Sequence, residues 1–144
     1  MFQRVLVGWD GSKPAKRALD TAIDLARRYD ADVVAASVVY SPAHAETEAD
    51  RAESVDAARA YLTQSFEAVS DRAHRVGVDL EHVLVEGDRP ADDLIEYAHE
   101  HGFDLVVVGH HRGRGGRFVV HGLTERLLDA CDVPILVVTE TNSD

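Results

Sequence analysis

Leu105-Val106-Val107-Val108-Gly109, running on into His110-His111-Arg112-Gly113-Arg114-Gly115-Gly116-Arg117, decides how this chain folds. Four apolar residues with no polar interruption describe a strand covered on both faces, as in a parallel sheet between layers of helices. A sheet with one wet face would alternate instead. The strand stops at a glycine, and the loop beyond it leads to a helix read over about Thr124 to Cys131.

The same grammar repeats on either side. Val5-Leu6-Val7 ends at Gly8, after which Ser12 and Pro14 supply a capped helix start. Ala15, Ala18, Leu19, Ala22, Ile23 and Ala26 share one helical face. A second strand is read over Val33 to Val39 and is broken by Ser41-Pro42. Val55, Ala58, Leu62, Phe66, Val69 and Ala73 then recur at three and four, which predicts one long amphipathic helix that ends at Gly77. A third strand is read around His82 to Val85. Gly87, Asp88 and Pro90 open a helix carrying Leu94, Ile95 and Ala98, with Gly102 as its cap. The fifth strand is read over Val133-Val138. Pro134 lacks an N–H, so this strand lies at a sheet edge or begins there. Strands alternating with helices through right-handed crossovers predict an α/β fold, a doubly wound five-stranded parallel sheet with helices on both faces. Residues 1–140 form one domain in this reading, and 141–144 a short polar tail.

Composition narrows the function. The 144 residues carry 15 Lys and Arg against 26 Asp and Glu, a net charge of −11. That balance argues against binding nucleic acid by phosphate neutralisation, and no basic block exists to hold an anionic membrane. Cys131 is the only cysteine, which excludes an internal disulfide and reads as a reducing compartment. It is expected to be a buried, inert thiol. No apolar run reaches the ~20 residues of a membrane span, and Met1 leads straight into a strand pattern without signal-peptide anatomy. The expected location is the cytoplasm.

In doubly wound sheets the site lies beyond the carboxyl ends of the strands, where strand order reverses. The loop after the first strand, Gly8-Trp9-Asp10-Gly11-Ser12, and the loop from Gly109 to Arg117 would meet there. Between Asp104 and Glu125 the only formally charged residues are Arg112, Arg114 and Arg117, so a molecule of −11 holds +3 in this window. Glycines let backbone N–H groups approach a phosphate, and guanidinium groups fork onto its oxygens. The alternative is a hydrated turn with no ligand, since a glycine-rich loop without a P-loop lysine is a weak motif.

Six features in order resemble the universal stress protein family: Gly8-Trp9-Asp10-Gly11-Ser12, Gly87-Asp88 with Pro90, the strand from Asp104 to Gly109, the glycine-arginine loop, Thr124-Glu125-Arg126, and the closing Val133-Val138. The resemblance covers nearly the whole chain. It implies a flavodoxin-like strand order of 3-2-1-4-5 and a cytoplasmic homodimer. One subclass of the family holds ATP, with Gly-x2-Gly-x9-Gly-(Ser/Thr) in this loop, and another does not. Here strict spacing from Gly109 puts Arg112 on the second glycine, Gly122 on the third and Leu123 on the hydroxyl position. Anchoring on Thr124 instead puts His121 on the third glycine and Gly122 on the hydroxyl position. The hydroxyl is missing in both registers, and Gly113 lies one place beyond the expected second glycine. By position, Asp10 matches the acidic residue near the sugar or a metal, and Val38 the strand position whose backbone meets adenine.

The expected ligand contacts are therefore Gly8, Trp9, Asp10, Val38, Gly109, Arg112, Gly113, Arg114, Gly122, Leu123 and Thr124, with ATP, alone or with Mg, as the ligand. Asp10 reads equally well as a turn residue. Trp9 reads better as packing than as a base-stacking platform. His110, His111 and His121 lack the spacing of a metal site, and Ser12 has no His/Asp partner that would make it a nucleophile. Two function classes stay open. One is a nucleotide-binding regulatory protein of the stress response, at most a slow ATPase because no general base is evident. The other is a dimeric interaction protein that binds no nucleotide, with the two-fold contact made through Val133-Val138.

Overall fold

Neighbouring residues of each strand point to opposite faces of a sheet, and in this chain both faces are apolar. Val5, Val7, Val33, Ala35, Leu105 and Val107 lie in one core cluster, while Leu6, Val34, Ala36, Val106 and Val108 lie in another. The computed structural model describes residues 1–40, 48–110 and 120–139. Its elements run β1 (Arg4–Gly8), α1 (Lys13–Tyr29), β2 (Asp32–Tyr40), α2 (Glu48–Arg75), β3 (Leu80–Gly87), α3 (Pro90–Glu100), β4 (Leu105–His110), α4 (Val120–Ala130) and β5 (Ile135–Thr139). The five strands form one parallel sheet in the order β3-β2-β1-β4-β5. The doubly wound sheet read from the sequence is thus present, in the strand order that the family resemblance implied.

Helices α1 and α2 cover the first cluster through Leu19, Ile23, Leu62 and Phe66. Helices α3 and α4 cover the second through Leu94, Ala98 and Leu127. Each Val or Leu buried in this way contributes roughly 1.5–3 kcal/mol, which is why continuous apolar runs are stable here as strands. Register is fixed as well, with Val5 opposite Val33 on one side and Leu105 on the other. The Asp104 carboxylate accepts from the backbone N–H of Gln3 at 2.8 Å and of Arg4 at 3.1 Å, tying the entry of β1 to that of β4.

Local signals set the helix limits. Ser12 is the N-cap of α1, its Oγ accepting from Ala15 N at 3.2 Å, and Pro14 lies in the first turn. Asp30 closes α1 in the left-handed conformation (φ 55°), its N–H returning to the Ala26 carbonyl. Gly77 and Gly102 follow α2 and α3 at φ 78° and 69°.

Three boundaries differ from the sequence reading. Helix α4 starts at Val120 rather than near Thr124, because Leu123 and Leu127, one turn apart, both pack on the second cluster and carry the helix back toward the loop. Thr124, read from sequence as about the first residue of the helix, is a buried mid-helix residue. Strand β5 starts at Ile135 rather than Val133, since Pro134 has no N–H to give; its carbonyl accepts from Val106 N at 2.9 Å. Strand β3 is longer than the four residues read, pairing with β2 from Leu80 to Gly87. Cys131 lies just past α4 and is half-buried against the second cluster, not fully buried as expected.

Candidate functional site

Strand order reverses between β1 and β4, where the crossover from β1 goes to β2 on one side and that from β4 goes to β5 on the other. Beyond the carboxyl ends of these strands opens a cleft of about 520 Å3. Its floor is apolar, made of Ala36, Val38, Leu94 and Val108, with Leu62 from α2 and Leu123 from α4. Gly8, Trp9, Asp10 and Ser12 form the wall from β1, and Gly109 closes the end of β4. Arg89, Asp92 and Arg126 supply charge along the α3 and α4 side.

Gly109 is small for a reason of approach. A Cβ there would collide with the Pro14 carbonyl and lie 2.7 Å from Pro14 Cβ. The end of β4 therefore rests directly on the first turn of α1, and the cleft keeps its depth at that point.

Trp9 is 3% exposed and meets Phe66 edge-on at 6.0 Å. It packs, as the sequence reading favoured, and it also lines the cleft. Its Nε1–H has no hydrogen-bond partner among the described residues. The Trp9 backbone is held on both sides, donating to the Ala36 carbonyl at 2.9 Å and accepting from Ser37 Oγ at 2.7 Å. Ser37 has one hydroxyl proton and spends it on Trp9, so the 2.9 Å contact between Ser37 Oγ and His82 Nε2 requires the imidazole to donate. His82 stacks on Phe66 with ring centroids 4.6 Å apart. A chain of contacts thus runs from β3 through β2 to the wall of the cleft.

Burial holds His82 below its usual value of 6.5. The unfolded chain then takes up this proton at a higher pH than the folded one. The stability is fully present above the unfolded value and is lost as pH falls from there toward the folded value. His82→Gln keeps an N–H for Ser37 and removes the titration. Urea midpoints measured between pH 7.5 and 5.5 should fall less in this variant than in the parent; equal slopes would show that His82 does not couple.

Of the residues expected from sequence, Gly8, Trp9, Asp10, Val38, Gly109 and Leu123 line the cleft. Asp10 is exposed, and its Oδ1 accepts from Ser12 N at 2.9 Å, the turn geometry that was its alternative reading. Gly122 lies in α4 beside Leu123. Thr124 is 5% exposed, its Oγ1 is without a partner among the described residues, and it does not line the cleft. Arg112, Gly113 and Arg114 lie outside the described residues, as do Arg117 and the polar tail.

Sequence reasoning missed Arg89, Asp92 and Arg126. Asp92 Oδ1 accepts from Arg126 Nε at 3.0 Å. The signal was topological: a crossover from β3 at one edge to β4 must pass over β2 and β1, which carries the start of α3 across the site.

A parallel sheet in this order, with a cleft at its reversal point, defines the doubly wound class of α/β proteins. The chain matches the model of the universal stress protein family over residues 1–139 and belongs to that family. Universal stress protein YxiE of Bacillus subtilis (strain 168) is 28% identical over 158 residues, covering 96% of this chain and 99% of its own. A structure of a universal stress protein family member from Burkholderia pseudomallei superposes with a TM-score of 0.78 at 30% identity, over 95% of this chain and 96% of that one. A universal stress protein in complex with cAMP is 26% identical, with a TM-score of 0.68 over 95% and 96% of the two chains. Among the described residues no helix is long and apolar enough to cross a membrane.

Proposed function

We propose that the cleft between β1 and β4 binds an adenine nucleotide, and that the protein acts as a nucleotide-responsive regulator within its family. The observation that carries this reading is the cleft itself. Its volume of about 520 Å3 lies at the reversal point, with an apolar floor and charges confined to the rim. Small-molecule sites commonly fill roughly 300–1,000 Å3 and have this division of polarity. A flat base suits the apolar lining of Val38, Leu94 and Val108, and the Asp10 carboxylate, which also lines the cleft, is an acceptor for sugar hydroxyls. The related protein in complex with cAMP supports the ligand class.

ATP is the specific nucleotide we favour, held also by the arginines of the 111–119 loop, although neither register of that loop supplies the Ser or Thr of the family's ATP-holding pattern. Melting the protein with and without Mg-ATP, AMP and cAMP tests the reading. A nucleotide at a hundred times its Kd adds about 2.7 kcal/mol of stability, a clear rise in Tm. No rise with any of the three would return the protein to the second class, an interaction protein without a nucleotide. Both classes share a dimer through β5, an edge strand whose Ile135, Leu136, Val137 and Val138 stay partly exposed. Light scattering at micromolar concentration should give twice the chain mass, and a monomer mass would refute the dimer.

A further inference from the structure

We infer that Arg89 and Arg126 form a phosphate-reading rim, which makes the cleft selective for adenosine phosphates over the uncharged nucleoside. The inference rests on the adenine-nucleotide reading and assigns the anionic pole of the ligand to the α3 and α4 side.

Among the described residues, four charged ones line the cleft: Asp10, Arg89, Asp92 and Arg126. Asp92 lies three residues after Arg89, so the two are near neighbours across the first turn of α3. Arg126 reaches over from α4 and gives its Nε to Asp92 at 3.0 Å. Asp92 thus holds Arg126 at the α3 side of the cleft, which Arg89 also lines. That bond uses only Nε of Arg126; among the described residues its terminal nitrogens have no hydrogen-bond partner, and neither does the Arg89 guanidinium. The Arg126 and Asp92 side chains are 57% and 38% exposed, so the pair is solvated at the mouth rather than locked into the core. A rim of this kind contributes little to folding.

The wider field makes the arrangement pointed. With a net charge of −11, the molecule repels anions at long range. A phosphate that enters must meet local positive charge, and guanidinium forks match its oxygens in geometry as well as sign. At the start of α3, Arg89 N is already given to Asp93 at 3.1 Å and Pro90 has no N–H, so the positive charge on this wall comes from the Arg89 and Arg126 side chains. An uncharged ligand would use the same floor and gain nothing from them.

Calorimetric titration of the full chain with adenosine, AMP and Mg-ATP tests this. Relative to adenosine, AMP and ATP should bind at least tenfold more tightly. Arg89→Gln or Arg126→Gln should each cost AMP and ATP about tenfold, the expected loss for one charge-assisted contact. Adenosine affinity should move less than twofold, and the salt dependence of AMP binding should flatten. Because Arg126→Gln uncovers the Asp92 charge, the pair Arg126→Gln with Asp92→Asn is needed; it should stay as weak as Arg126→Gln alone. Recovery to parental affinity in that pair would overturn the inference, as would unchanged AMP and ATP affinity in Arg89→Gln and Arg126→Gln. If the parent binds all three ligands equally, the rim does not read phosphate while the cleft reading survives. If the parent binds none, both fail together.

Discussion

Gly109→Ala is expected to destabilise the protein by about 3 kcal/mol, at the upper end of what overpacking costs. The added Cβ would run into the carbonyl of Pro14, which is backbone of the first turn of α1 and has no rotamer to escape through. Either β4 must withdraw from the sheet or α1 must lift from it. At this chain length the loss corresponds to a fall in Tm of roughly 10 °C. Gly8→Ala is the matched control at the end of β1, the other strand that flanks the cleft. Its Cβ would meet Val108 Cγ1 at 3.4 Å, an ordinary contact, so the change should stay within about 1 kcal/mol. Urea unfolding of the two variants beside the parent measures the difference. Equal stabilities for the two would mean that the close approach at Gly109 is not a constraint.

Trp9→Ala should cost about 3–5 kcal/mol, the usual range for emptying a buried Trp site. The lost ring also removes the edge contact with Phe66, the ring on which His82 stacks. Trp9→Phe should cost less than half as much. Phenylalanine keeps an aromatic edge for Phe66 and discards an indole N–H that is buried without a partner among the described residues, a group that ordinarily costs about 1–3 kcal/mol. If Phe proves as damaging as Ala in denaturant titrations, the indole N–H has a role in the folded state that these contacts do not show.

The fold was legible because its strongest signals are one-dimensional. Val5-Leu6-Val7 and Leu105 to Val108 are continuous apolar runs, and a strand with both faces covered leaves that trace whatever its neighbours are. Ser12 and Pro14 marked the start of α1 by local capping chemistry, which needs no tertiary partner. The start of α4 misled for the complementary reason: the sequence was read as helical only from about Thr124, and the packing of Leu123 on the second cluster shows that the helix has already begun. The strand order came from the resemblance, since parallel strands of similar composition carry no local mark of their neighbours.

The site was half legible. Gly8, Asp10 and Gly109 follow from the rule that ligands sit at the reversal point. Arg89, Asp92 and Arg126 could not be found that way, because an arginine on an exposed helix end looks like any solvated charge until α3 and α4 are placed side by side. The Ser37-His82 contact joins two strands 45 residues apart and has no sequence signature at all.

Trp9 is the chain's one tryptophan and lies in the wall of the proposed nucleotide site. Its indole N–H gives a single assignable resonance and its fluorescence a single emitter, so the protein carries its own reporter at the place in question. The most direct measurement is a titration with Mg-ATP, AMP and cAMP that follows both signals. The account predicts a saturable shift of the indole resonance and a matching change in emission, together with shifts of the Val38 and Gly109 amides that titrate with the same Kd. Saturable binding by calorimetry with the indole, Val38 and Gly109 signals unmoved would contradict it by placing the nucleotide elsewhere, and so would the absence of any response at millimolar nucleotide.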